Sequence, residues 1–174
     1  MRGDPIESMK SGIRSLHSEL MGDPSAVETA SLSIITFAES ATQLCALTPL
    51  AKFSLPHLLA SRVEETRLGG AFRLLENCLN YEVELRTCSE LGDWKPLVFV
   101  LIDGMVSDMP ALERAAASIK DGPLQASVIG MCCGEAYDPS ELRKVTDTVL
   151  VMKDLTLATF AAFFKWVDQE EACL

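Results

Sequence analysis

Two pairs of residues in this chain have types and positions that could do chemistry. Thr66 and Asp103 each stand just past a loop or strand, where the sheet's carboxyl edge is expected. A hydroxyl and a carboxylate converging there suit a hard divalent cation, which prefers oxygen ligands. Mg²⁺ demands octahedral coordination, so waters or further ligands must complete the set. The plainer alternative is an N-cap threonine and a turn aspartate. Cys132 and Cys133 form the second pair, at a strand end before Gly134. Vicinal thiols can hold a soft metalloid or sense redox state. The plainer alternative is one core cysteine and one rim cysteine.

Enzyme signatures are absent. The sequence contains no GxxxxGK[ST], GxSxG, HExxH or GxGxxG. His17 falls on the polar side of the first helix, where solvent is expected, and His57 follows Pro56 in a loop. Neither has a nucleophile partner at a motif spacing, so the chain reads as a non-enzyme.

The elements that must position these residues follow from periodicity. The run Leu97–Ile102 has no polar residue, which predicts a strand buried on both faces and central in its sheet, stopping at Asp103-Gly104. Asp4, Pro5 and Glu7 cap a first helix with Ile6, Met9, Ile13, Leu16 and Leu20 inward, ended by Gly22-Asp23-Pro24. Residues 30–37 and 42–47 predict a hairpin around a turn at 38–40. Residues 48–65 read as loop. A long helix opens at Thr66, with Gly69 and Gly70 expected to allow a close backbone approach. Helices are predicted over 109–120 and 155–170 and a short one from Pro139 to about Val145. Strands are predicted over 126–132 and 148–152. The alternation argues an α/β fold with a mostly parallel central sheet covered by helices on both faces.

Composition sets the frame. The chain has 174 residues, 48% of them hydrophobic and 23% charged, as expected of a single domain with a sizeable core. A net charge of −10 argues against nucleic acid and against an anionic membrane surface. No apolar run is long enough for a transmembrane helix, and the start lacks a signal-peptide core. The six cysteines include no CxxC, so the thiols are read as reduced and the compartment as cytoplasmic.

Five stretches carry a family resemblance: M-R-G-D-P-I-E at 1–7, S-I-I-T-F at 33–37, T-R-L-G-G-A-F-R-L-L at 66–75, G-D-W-K-P-L-V-F-V-L-I-D-G at 92–104 and F-A-A-F-F-K-W-V at 160–167. In these the chain resembles the von Willebrand factor A domains, in particular a bacterial tellurite-resistance branch. The resemblance implies a three-layer α/β fold and a non-enzymatic protein-interaction module of a tellurite-resistance or stress-response system. It also implies a metal-ion-dependent adhesion site, built in the family from a DxSxS motif, a threonine and an aspartate. Thr66 matches the threonine and Asp103 the aspartate. The DxSxS motif and the first central strand that carries it have no counterpart. Residues 1–174 are therefore expected to form a single, N-terminally truncated domain with a degenerate metal site. No resident cofactor is expected, and Mg²⁺ only if the missing motif is supplied. A thiol-based metalloid or redox role for Cys132 and Cys133 is the alternative. The expected partner is a protein. The seam left by the strand is expected to be covered in a symmetric homodimer or, failing that, closed by direct pairing of 31–37 with 97–102.

Overall fold

The computed structural model describes residues 4–59, 65–85, 92–102, 104–133, 139–146 and 148–152. Helix α1 spans Asp4–Leu20. Met9 and Leu16 of its apolar stripe pack against the sheet. The same Asp-Pro pair that ends α1 starts another helix at once, α2 (Pro24–Thr29), which the periodicity does not reveal. Asp23 is its N-cap and accepts from the Ser25 N–H at 2.9 Å, with proline at the first turn.

Strands β1 (Ser31–Phe37) and β2 (Ala41–Pro49) form the expected antiparallel hairpin, with register shifts on either side of Ile34. β2 runs further than the sequence suggests, to Pro49, and a 3-10 turn at Leu50–Lys52 follows. Leu50 and Phe53 are buried there. His17 is a correction: instead of lying in solvent, its ring packs on Phe53, with centroids 5.3 Å apart. Its Nε2 lies 3.2 Å from the Leu50 carbonyl oxygen. The two rings meet at a tilt of 47°, while a ring nitrogen keeps a polar partner.

Helix α3 covers Leu68–Glu82 and α4 covers Met109–Asp121. Leu112, Ala115, Ala116 and Ile119 are the buried face of α4, as their spacing predicts. The helices cross closely at Gly69. A Cβ there would sit 2.5 Å from the Leu112 nitrogen, so only glycine fits. Gly70 differs from expectation: nothing lies within 4 Å of its missing Cβ.

Strands β3 (Leu97–Ile102), β4 (Ser127–Cys133) and β5 (Thr148–Met152) form a parallel sheet in the order β3-β4-β5. Side chains alternate between its faces. Val98, Val100, Ile102, Val128, Cys132 and Val149 join the large core with α3 and α4. Phe99, Leu101, Ile129, Met131 and Leu150 meet α1. So β3 is covered on both faces, yet it is not central. Among the described residues β4 is the middle strand and β3 lies at an edge. The hairpin is a separate sheet, and β1 does not pair with β3. Helix α3 packs beneath both sheets, with Phe37 and Ala41 of the hairpin in the same core as Val100 and Ile102. That holds the two sheets in place without joining them.

The segment from Pro139 to Val145 is a turn followed by a 3-10 helix at Leu142–Lys144, not a short α-helix. Leu142 and Val145 are buried, and Thr146 Oγ1 donates to the Leu142 carbonyl at 2.9 Å. The same carbonyl also accepts from the Thr146 backbone N–H, at 2.9 Å, so Thr146 closes the turn through both groups. The helix expected over 155–170 lies outside the described residues. Among the described residues no helix is long and apolar enough to cross a membrane.

Candidate functional site

Three segments meet beyond the carboxyl end of β3: the loop that follows it, the residues leading into α3, and the hairpin turn. Thr66 is half-buried just before α3. A Cβ on Gly104 would lie 3.5 Å from its hydroxyl oxygen, so Thr66 sits beside the end of β3, where the strand-end argument places it. Asp103 lies outside the described residues. The Thr66 carbonyl accepts from both the Ser107 N–H, at 3.0 Å, and the Ser107 hydroxyl, at 3.1 Å. On the other side of the same peptide group, the Arg67 N–H donates to the Ala38 carbonyl in the hairpin turn, at 2.9 Å.

Asp108 fixes the arrangement. Arg67 precedes α3 without capping it, so the first N–H groups of that helix need acceptors from elsewhere. Asp108 supplies them: Oδ1 accepts from Gly69 N–H at 2.9 Å and Oδ2 from Gly70 N–H at 3.1 Å. Its own carbonyl accepts from Ala111 and Leu112 and so starts α4. One residue thus opens two helices, and its negative charge lies where the α3 dipole is positive.

Ser107, Asp108, Gly70 and Ala111 line an open cleft of about 550 Å³, with Glu39, Ser40, Glu65, Arg67 and Arg73 on its rim; Thr66 lies beside it and is not part of its lining. The Arg67 Nε donates to Glu65 Oε1 at 2.9 Å, and that bond raises the guanidinium pKa further above its ordinary range. Carboxylates and guanidinium groups stand side by side, which suits a polar ligand better than an apolar one. Among the described residues no cluster of three or more His, Cys, Asp or Glu is placed to hold a metal. Thr66 can offer one oxygen to a cation.

Sequence reasoning missed Ser107 and Asp108. The signal was present in S-D-M-P at 107–110, an N-cap aspartate followed by a first-turn proline. Its second role, capping a helix distant in sequence, has no local signature. Cys132 is fully buried on the α3–α4 face of the sheet. Cys133 ends β4, and its side chain lies outside the described residues.

The architecture is α/β: a parallel three-stranded sheet, an antiparallel hairpin and packed helices. No family model matches the chain, and no curated protein matches it. Among solved structures it is similar to proximal thread matrix protein 1 from the mussel byssus, with a TM-score of 0.65 and 14% identity. The likeness covers 94% of this chain and 40% of that one. At that identity it is a likeness of fold alone.

Proposed function

We propose that the chain is a non-enzymatic protein-interaction module with a three-layer fold of the von Willebrand factor A type. It resembles the tellurite-resistance protein TerY and would act in a cytoplasmic resistance or stress-response system. The observation that carries this reading is the meeting of Thr66 with Gly104 and Ser107 at the carboxyl end of β3. A parallel sheet builds its sites at that end, and an adhesion-type surface needs those two segments together. Support for the layers comes from α1 on one face of the sheet and α3 with α4 on the other. The metal site is proposed as degenerate, with Thr66 and Asp103 as its remaining ligands and a protein side chain, not a resident ion, as the usual occupant of the cleft.

A photo-crosslinking side chain in place of Arg73, on the cleft rim, tests this. It should join the chain to one discrete protein partner in cell extract, and Ser107→Ala should weaken that product. Crosslinking unaffected by cleft substitutions would overturn the reading. The thiol-based alternative has less behind it, because Cys132 is fully enclosed. It predicts two thiols protected together by a soft metal in a titration of the folded chain.

A further inference from the structure

A groove separate from the cleft runs between α1 and the segment after the 3-10 turn. Ile13, Arg14, His17, Phe53, Ser54 and Leu55 line it, and its volume is about 320 Å³. It shares no residue with the cleft at the end of β3. That volume falls at the lower end of the range of small-molecule pockets, roughly 300–1,000 Å³.

The chain builds the groove from two walls. Ile13 and Arg14 stand four and three residues before His17, so all three share one flank of α1. The 3-10 turn at Leu50–Lys52 brings the second wall beside them. The Leu50 carbonyl ties the walls together: it accepts from the Phe53 N–H at 3.2 Å and lies 3.2 Å from His17 Nε2. A carbonyl only accepts, so Nε2 is the donor and Nδ1 is the ring's other polar atom. Phe53 leaves the turn extended, at φ −67° and ψ 136°, and Pro56 favours extended backbone at Leu55. No helix or strand forms over 53–57. Among the described residues nothing accepts from the N–H of Ser54 or Leu55, or from the Ser54 hydroxyl.

The charge at the groove is positive, in a chain whose net charge is −10. Arg14 is exposed and has no ion-pair partner among the described residues. The nearby acid, Glu7, is taken by Lys10, whose ammonium lies 2.7 Å from Glu7 Oε1. That bond holds the Glu7 carboxyl below its ordinary value, and Arg14 and His57 add smaller pulls in the same direction. Cations therefore outnumber the carboxylate they surround.

We propose that this groove binds a small organic anion, its oxyanion head on Arg14 within reach of the Ser54 and Leu55 donors and its flat apolar body against Phe53 and Ile13. The proposal does not depend on the function assigned to the cleft. A guanidinium presents paired donors that match a carboxylate or a phosphate. An aromatic wall suits a ring, through apolar contact and tilted or offset stacking. A cationic ligand would meet the unpaired guanidinium, and a bare anion would leave the apolar wall unused.

The test titrates the full chain with benzoate and with phenyl phosphate and follows its NMR signals residue by residue. Benzylamine supplies a similar body with the opposite charge, and inorganic phosphate supplies charge without the body. Benzoate and phenyl phosphate should each shift the His17, Phe53, Ser54 and Leu55 signals and saturate, with dissociation constants of roughly 1 mM. Inorganic phosphate should bind about tenfold more weakly or less, and benzylamine should leave the four residues unmoved. Arg14→Gln should weaken benzoate binding by about tenfold or more, and Arg14→Lys, which keeps the charge and loses the paired donors, should fall between. Arg114→Gln, exposed on α4, should change nothing. The tighter of the two anions identifies the head group, and either order supports the proposal. Benzylamine binding as well as benzoate, an Arg14→Gln affinity equal to that of wild type, or no saturable shift at these residues by about 20 mM anion would overturn it.

Discussion

Ser107 holds Thr66 twice, through its backbone N–H and through its hydroxyl, both on the Thr66 carbonyl. The loop after β3 and the entry to α3 are therefore one mechanical unit, and a change at either should be felt at both. Ser107→Ala keeps the backbone bond and loses the other. It should cost about 0.5–1 kcal/mol in urea unfolding. A loss within error would mean the hydroxyl bond adds nothing to stability.

Asp108→Ala should cost more, about 1–2 kcal/mol, because two helix-opening amides lose their acceptor. Gly69 is buried, so water cannot readily replace the carboxylate. Asp108→Asn, which keeps one acceptor oxygen, should fall between wild type and alanine. Exchange of the Gly69 and Gly70 amides should accelerate in the same order. Equal stability of the two variants would show that the bidentate cap is not what matters.

The adjacent glycines should respond with opposite signs. Gly69→Ala drives a methyl into the α4 backbone and should destabilise by about 1–3 kcal/mol. Gly70→Ala meets open space and should stabilise by roughly 0.5 kcal/mol through helix propensity. Thermal unfolding of both variants decides it, and matching signs would count against the observed crossing of α3 and α4.

Glu82, at the last turn of α3, anchors the hairpin. Its carboxylate accepts from Gln43 Nε2 at 2.8 and 3.1 Å and from Leu47 N–H at 2.6 Å. Glu82→Leu should leave the parallel sheet intact while loosening β2, at a cost of about 1–2 kcal/mol. Faster exchange at Leu47 without change at Val128 is the signature to look for.

Burial, and then the nearby Glu82 charge, pushes the Cys78 thiol above its ordinary value of 9.0. The folded state holds this proton more tightly than the unfolded chain does. That contribution to stability is complete below pH 9.0 and is lost as pH rises through the folded-state value. Alkylation of Cys78 followed by mass spectrometry should titrate above 9.0, and Cys78→Ala should flatten the alkaline loss of stability. Titration below 9.0 would contradict the burial argument.

Periodicity located most of the described elements, because their apolar stripes face a core and little else competes. The inward face of α4 is the clearest case. What escaped was non-local. The position of β3 at a sheet edge depends on whether β1 pairs with it, and two apolar strands look alike whether or not they touch. The second role of Asp108 depends on α3 arriving beside α4. Helix α2 was missed because it has no buried residue and hence no stripe to read. Gly69 and Gly70 are neighbours in sequence with opposite surroundings, which only the helix crossing reveals.

The division into a hairpin and a parallel sheet has a consequence for synthesis. β1 and β2 are joined by a tight turn, and such pairs close in about 1–10 μs. β3 must wait for β4, with α4 made in between, because parallel neighbours need a crossover. At roughly 5–20 residues per second on a ribosome, that wait lasts on the order of seconds. During it the hairpin and α3 are available while β3 has no strand to pair with. The nascent chain therefore passes through a stage in which its most apolar strand is its least protected one.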